Sequence, residues 1–238
     1  MRVRIKMTRK KIILFIVEGI NDKTCLEGVL EKVLESEEVR FQITDGDITT
    51  RFDIDEYKIR NEIGKTVKAF KDKYHLKTEH FMEVVHIIDT DGLFLKEDAV
   101  HFFETENPIY MDDGIYTKNV DKMNERNKKK AAVVERMLEL HTVLKTIPYS
   151  VYYFSSNMDH VLYNQANLTP KEKDDLADLF DEEYADKPEE FVRFMRESSF
   201  TVRGTYEDTW DFIRLDKNSV KRYSNFGVYL TKQDNSGI

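Results

Sequence analysis

Residues 85–95 read VHIIDTDGLFL. An apolar run climbs to Asp89, skips one residue to Asp91, turns at Gly92 and becomes apolar again. The run before Asp89 has the character of a strand buried on both faces, as in a parallel sheet. Two carboxylates at the end of such a strand are costly unless something positive is held between them. Acids two apart on an extended segment point the same way, so their repulsion raises a pKa or recruits a cation.

The flanking sequence repeats the pattern. KIILFIVEG (11–19) is another continuous apolar, β-branched run, stopped at Glu18-Gly19. Leu26, Val29, Leu30, Val33 and Leu34 then recur at helical spacing, with Asn21 or Asp22 placed to cap. VRFQITDGD (39–47) reads as a second strand, and Ile59, Ile63, Val67 and Phe70 mark a second helix ending near Tyr74. FMEVVHIID (81–89) is the third strand, Lys122 to Lys145 a long helix, and YSVYYFSS (149–156) a fourth strand followed by a short helix. The alternation over residues 11–166 predicts an α/β domain with a parallel sheet and helices on both faces. From Leu168 the chain reads mostly helical and acidic, ending in an aromatic strand-or-coil tail, NFGVYL. The expected organisation is a domain over 1–166 and a mainly helical extension over 167–238 packed on it.

Composition narrows the class. The chain has 238 residues, 40% apolar and 34% charged, with a net charge of −8. That total is no nucleic-acid signature, but the charge is uneven: residues 1–11 carry six basic side chains and no acids, whereas 171–190 carry ten acids against three lysines. The single cysteine, Cys25, excludes a disulfide framework and a multi-cysteine zinc site and is expected in the core. The run Ile12 to Val17 is too short for a signal sequence or a membrane span, so a cytoplasmic chain with no membrane partner is expected.

In open α/β sheets, functional groups gather beyond the C-terminal ends of the strands. Glu18, Asp89 and Asp91 all fall there. Together they make a hard-oxygen cluster of the kind that takes Mg²⁺ or Mn²⁺.

These two motifs resemble the Toprim family, named for topoisomerases and primases. The match lies in IILFIVEGINDKTCLEGVL, a strand, Glu-Gly-x-x-Asp and a helix, and in VVHIIDTDG, a strand and Asp-x-Asp. It covers roughly residues 11–166 and implies a mostly parallel four-stranded sheet. VEGINDKTCLEGVL is most similar to the OLD-like and small-ribonuclease branches, metal-dependent nucleases of which several act in bacterial antiviral defence. The resemblance implies that Glu18 is a metal ligand or proton shuttle, that Asp89 and Asp91 bind the metal, and that Asp22 is an auxiliary acid or the helix cap. Where many members carry a further acid, this chain has Leu93. Asp45, Asp47 and Asp159 are the candidates for the missing ligand, and Lys96 for an assisting base or cation.

A topoisomerase would need a nucleophilic tyrosine on a separate large domain, and a bacterial-type primase a cysteine-rich zinc module. Phosphodiester hydrolysis of DNA or RNA remains, and it needs no protein nucleophile. Substrate phosphates would be met by the basic residues 1–11 and by Arg126, Lys128, Lys129 and Lys130, whose bland reading is a solvated helix face. His160 is a candidate for contact with substrate or metal, whereas His86, inside the third strand, is expected buried and satisfied. If activity is conditional, the expected partner besides nucleic acid is a separately encoded ATPase, since the chain has no Walker-type glycine loop; a second copy of the chain is a further candidate.

Two rivals use the same residues. IIDTDGLF also resembles the first motif of haloacid-dehalogenase-type phosphatases, with Asp89 as nucleophile, Asp91 as general acid, Mg²⁺ as cofactor and Lys171 as the later lysine. That reading leaves Glu18-Gly19 unexplained. The other rival is a Toprim module that binds nucleic acid or a partner and cleaves nothing.

Overall fold

The computed structural model describes residues 10–44 and 46–235. Residues 1–9, most of the expected N-terminal basic arm, and Asp45, one candidate ligand, lie outside them.

The first strand, β1 (Ile12–Val17), is buried along its whole length. Ile12, Leu14 and Ile16 enter one apolar cluster and Ile13, Phe15 and Val17 another, so its alternate side chains serve the two faces of the sheet. The chain continues through α1 (Ile20–Val33), β2 (Glu38–Ile43), α2 (Ile59–Lys73) and β3 (Phe81–Asp89). It then passes β4 (Val100–Phe102), β5 (Ile109–Met111), β6 (Gly114–Thr117), α3 (Val120–Leu138), β7 (Thr142–Val143) and β8 (Ile147–Phe154). Five helical segments follow: α4 (Met158–Tyr163), α5 (Pro170–Tyr184), α6 (Pro188–Glu197), α7 (Tyr206–Arg214) and α8 (Phe226–Asn235).

The main sheet has the order β2-β1-β3-β8-β7. The first four strands are parallel and β7 is antiparallel to β8. The protein is therefore α/β with a mixed five-stranded sheet, where a mostly parallel four-stranded one was expected. The fifth strand is a two-residue edge made where the chain after α3 turns back into β8. A second, three-stranded sheet, β4-β6-β5, was not foreseen; it packs on Met123 of α3 and on Val220.

Helices cover both faces. Cys25, Leu26, Val29 and Leu30 of α1 share their cluster with Phe180, Phe191 and Tyr229 from α5, α6 and α8. Ile59, Ile63 and Val67 of α2 share the other with Val133 and Val134 of α3 and with Trp210 and Ile213 of α7. The C-terminal region thus completes both layers. Its expected strand-or-coil tail is the helix α8, because Phe226, Tyr229 and Leu230 fall on one buried face. Among the described residues, no helix is long and apolar enough to cross a membrane.

Candidate active site

From β1 the chain crosses by α1 to β2 on one side, and then from β2 by α2 back past β1 to β3 on the other. The strand order therefore reverses between β1 and β3. Crevices open at such switch points, beyond the strand C-termini. Glu18 directly follows β1 and Asp89 ends β3. A Glu18 carboxylate oxygen accepts the Asp89 backbone N–H at 3.3 Å. The two acidic motifs, far apart in sequence, meet.

Asp22 stands at the third position of α1. Its Oδ2 accepts the Gly19 backbone N–H at 2.8 Å, and Gly19, not Asn21 or Asp22, is the N-cap residue. Asp89 Oδ1 accepts the N–H of Met158, at the start of α4, at 2.9 Å. Glu18, Asp22, Asp89 and Asp159 line one cleft of about 630 Å³, and Lys173 of α5 stands at it, 2.6 Å from Asp159.

Asp91 behaves differently. The strand ends at Asp89, and Asp91 has a left-handed backbone, φ 48°. The alternation that would align it with Asp89 is broken there. Its Oδ2 lies 2.7 Å from the ammonium of Lys130, which lies at the same distance from Asp47 Oδ2. Lys130 is wholly buried. The positive group that the two carboxylates demanded is thus, on one side, part of the protein.

The surrounding backbone fixes this corner. Asp91 N–H donates to Ser156 O at 2.8 Å, and the Arg126 guanidinium donates to Asp91 O at 2.6 Å and to the Tyr110 hydroxyl at 3.0 Å. Gly92 N–H and the Thr90 hydroxyl both donate to Ser219 O. Gly92 has φ 72°, and a Cβ there would meet Ile115 and Val220 at 2.8 Å, so this turn takes no side chain.

Charges sort accordingly. Burial, then the neighbouring Asp47, push the Glu18 carboxyl well above the usual carboxylate range. Burial, then Glu18, do the same to Asp89. Asp22 is pushed up to about 6, mainly by burial and with help from Asp159, against the lowering effect of the Gly19 N–H. For Asp47, burial alone would raise the pKa, but the Lys130 ammonium outweighs it and holds the carboxyl at about 2. For Lys130, burial is likewise overcome by Asp91 and Asp47, which keep the ammonium charged.

The other expected residues fall elsewhere. Lys96 is exposed, and its side chain has no hydrogen bond or ion pair among the described residues; the lysine at the cluster is Lys130. Lys130 is therefore no phosphate-binding surface residue, because its ammonium is sealed between two acids. Arg126 is likewise committed to the Asp91 turn. Lys128 pairs with Glu97 at 2.5 Å, and Lys129 donates to the Arg51 carbonyl. His160 is buried in α4, and its Nδ1 has no hydrogen-bond partner among the described residues. Lys171 is exposed and does not line the cleft, where Lys173 stands. Asp159, one of the candidate ligands, does line it. His86 is buried as expected, with Nδ1 2.9 Å from the Tyr149 hydroxyl.

No protein-family model, curated protein or solved structure matches the chain.

The donor set bears on a metal ion directly. Among the described residues, no three His, Cys, Asp or Glu side chains form a group that could hold a metal. Glu18 and Asp89 are nonetheless hard-oxygen groups brought together in an open cleft, with no ion-pair partner within 4 Å among the described residues. Burial is the main cause that raises both carboxyls, and a cation held beside them would favour their charged forms. This fits Mg²⁺ or Mn²⁺ held by one or two carboxylates, with water and substrate oxygens making up the rest. It does not fit a closed, all-protein cage.

Proposed function

We propose that the chain is a Toprim-type, divalent-metal-dependent hydrolase of phosphodiester bonds in DNA or RNA. The observation that carries this reading is the meeting of Glu18 and Asp89 at the switch point of the sheet, in a cleft that a polymer end or backbone can enter. Mg²⁺ or Mn²⁺ held by Glu18 and Asp89 would supply Lewis-acid polarisation of a phosphoryl oxygen. The chain's own residues prepare the place. Lys130 ties the Asp47 and Asp91 carboxylates together and so stiffens the wall behind Glu18. Arg126 and Ser219 hold the backbone of the Asp91 turn. Lys173, beside Asp159, puts a cation at the cleft for a phosphate to approach.

The phosphatase reading is less well served. It needs Asp91 turned toward a leaving group, whereas its Oδ2 is bonded to a buried ammonium. It also gives Glu18 no task. A non-cutting Toprim module has one observation in its favour: with Asp91 engaged by Lys130, no three-ligand group remains among the described residues.

Labelled single- and double-stranded DNA and RNA, incubated with Mg²⁺ or Mn²⁺, separate the three. Cleavage should require the metal, and Glu18→Gln and Asp89→Asn should each slow it by about 100-fold or more. Hydrolysis of para-nitrophenyl phosphate that survives Glu18→Gln would move the assignment to a phosphatase. Binding without turnover in any divalent metal would move it to the non-cutting module.

A further inference from the structure

The lysines expected to grip substrate on α3 are engaged elsewhere, so the cations that meet a polyanion must be sought on other faces. One groove of about 530 Å³ runs between α2 and the turn joining β7 to β8. Its wall carries Arg60, Lys65, Lys68 and Lys145 and no acidic side chain, in a chain whose net charge is −8. Lys65 pairs with Glu62 at 3.3 Å. Arg60, Lys68 and Lys145 have no ion pair within 4 Å among the described residues. The nearby acids are taken up by others: Glu62 also binds Arg51, Asp55 pairs with Lys58, and Asp72 with Lys71.

Two further features set this groove apart from an ordinary solvated face. Tyr57 lines it with 86% of its surface exposed, so its ring is presented to solvent with little packing against the protein. Lys145 is held there by an unfavourable backbone. Leu144 and Lys145 both have positive φ, 45° and 76°, in the three-residue turn between Val143 and Ile147, a region of backbone that side chains other than glycine, Asn and Asp rarely adopt. A strained turn that carries an unpaired cation on a cationic groove is better suited to holding that cation than to folding. Gly64, facing the groove, leaves it open: a Cβ there would meet nothing within 4 Å.

We infer that this groove is a track for single-stranded nucleic acid, with phosphates on Arg60, Lys65, Lys68 and Lys145 and an unpaired base stacked on Tyr57. The inference rests on the nucleic-acid reading given above and names the surface that serves it. Cationic grooves with exposed aromatic rings bind single strands in this way, the charges following the backbone and the ring accepting any base. The loop from Asp47 to Lys58 links the two places, since Asp47 bonds Lys130 at the candidate site and Tyr57 stands at the groove.

The test is fluorescence anisotropy with a labelled single-stranded oligonucleotide in EDTA, where binding is read without cleavage. Replacing Arg60, Lys68 and Lys145 together by Gln should weaken binding by about 10-fold or more and reduce the slope of log K against log salt by about 2. Tyr57→Ala should weaken it by about 10-fold with an unchanged salt slope. A control replacing Lys118, Lys122 and Lys171, which do not line the groove, should bind as the parent does. Parent-like binding by the groove variants, equal losses in the control, or tighter binding of duplex than of single strand overturns the inference. Hydrolysis of bis(para-nitrophenyl) phosphate with Mn²⁺ is scored separately. Its loss in Glu18→Gln with oligonucleotide binding intact tests the catalytic reading alone, so the two can fail independently.

Discussion

Lys130 shows what one side chain can do to a site. It lies between two carboxylates at 2.7 Å from each, with none of its surface exposed. Removing one partner of a buried ion pair leaves the others uncompensated and costs about 3–5 kcal/mol. Lys130→Met should therefore lower stability by that order in urea unfolding, and adding Asp47→Asn should restore part of it. Its burial was hidden by its company: in NERNKKKAAVVERM a lysine run reads as a solvated face. A signal was present nonetheless. Met123, Asn127, Lys130, Val134 and Met137 form a single buried stripe on α3, so two polar residues interrupt an otherwise apolar helical period. Glu18 and Asp89 were legible because each stops a largely apolar, β-branched run. The fate of Asp91 was not, because its left-handed backbone follows from the turn packing and not from the motif.

His86 carries the acid-side expectation. Burial depresses its folded pKa to about 4, with only a slight opposing effect from Asp47. The unfolded imidazole takes up a proton below about 6.5. Between those values the unfolded chain binds more protons, so stability falls as the pH drops from about 6.5 to 4, by about 3 kcal/mol at most. Replacing both His86 and its partner Tyr149 by Phe should flatten that limb in urea melts recorded across this range. An unchanged slope would show that His86 does not control it.

At the scale of elements, the order of the parallel framework was readable, because β1, β3 and β8 are largely apolar runs and α1 and α2 keep helical spacing, but β2 stops at Ile43 and not at Asp47, and the helix expected over Lys122 to Lys145 stops at Leu138, ahead of β7. The second sheet was not, since β4, β5 and β6 have three or four residues each and partly exposed side chains. The edge strand β7 has two residues and no periodicity to read. Its turn gives an element-level expectation. A non-glycine residue in the left-handed region costs about 1–2 kcal/mol relative to a right-handed one. Glycine adopts φ 76° without that penalty but loses more entropy on folding. Lys145→Gly should therefore raise stability by about 0.5–1 kcal/mol, seen as a higher melting temperature, although it deletes a charge. A lower melting temperature would mean that the Lys145 side chain contributes more than its backbone costs.

Across the whole molecule, the acidic C-terminal region is part of the core. Phe180, Phe191 and Tyr229 complete one face of the sheet and Trp210 and Ile213 the other. Residues 1–166 expressed alone should lack a cooperative urea transition by circular dichroism and should bind hydrophobic dyes. A sharp transition would show that the first 166 residues stand by themselves. The expectation of a packed extension understated this dependence, because sequence shows an amphipathic helix but not which surface its apolar side covers.

The bond from the Thr90 hydroxyl to the Ser219 carbonyl spans 129 residues. Translation proceeds at about 5–20 residues per second, so Thr90 is made roughly ten seconds before the carbonyl that must anchor it. A nascent chain on the ribosome therefore holds its acidic residues without the brace that sets them. The brace becomes available only once the messenger's later codons have been read, so the acidic turn is set last, when nearly the whole chain has been made.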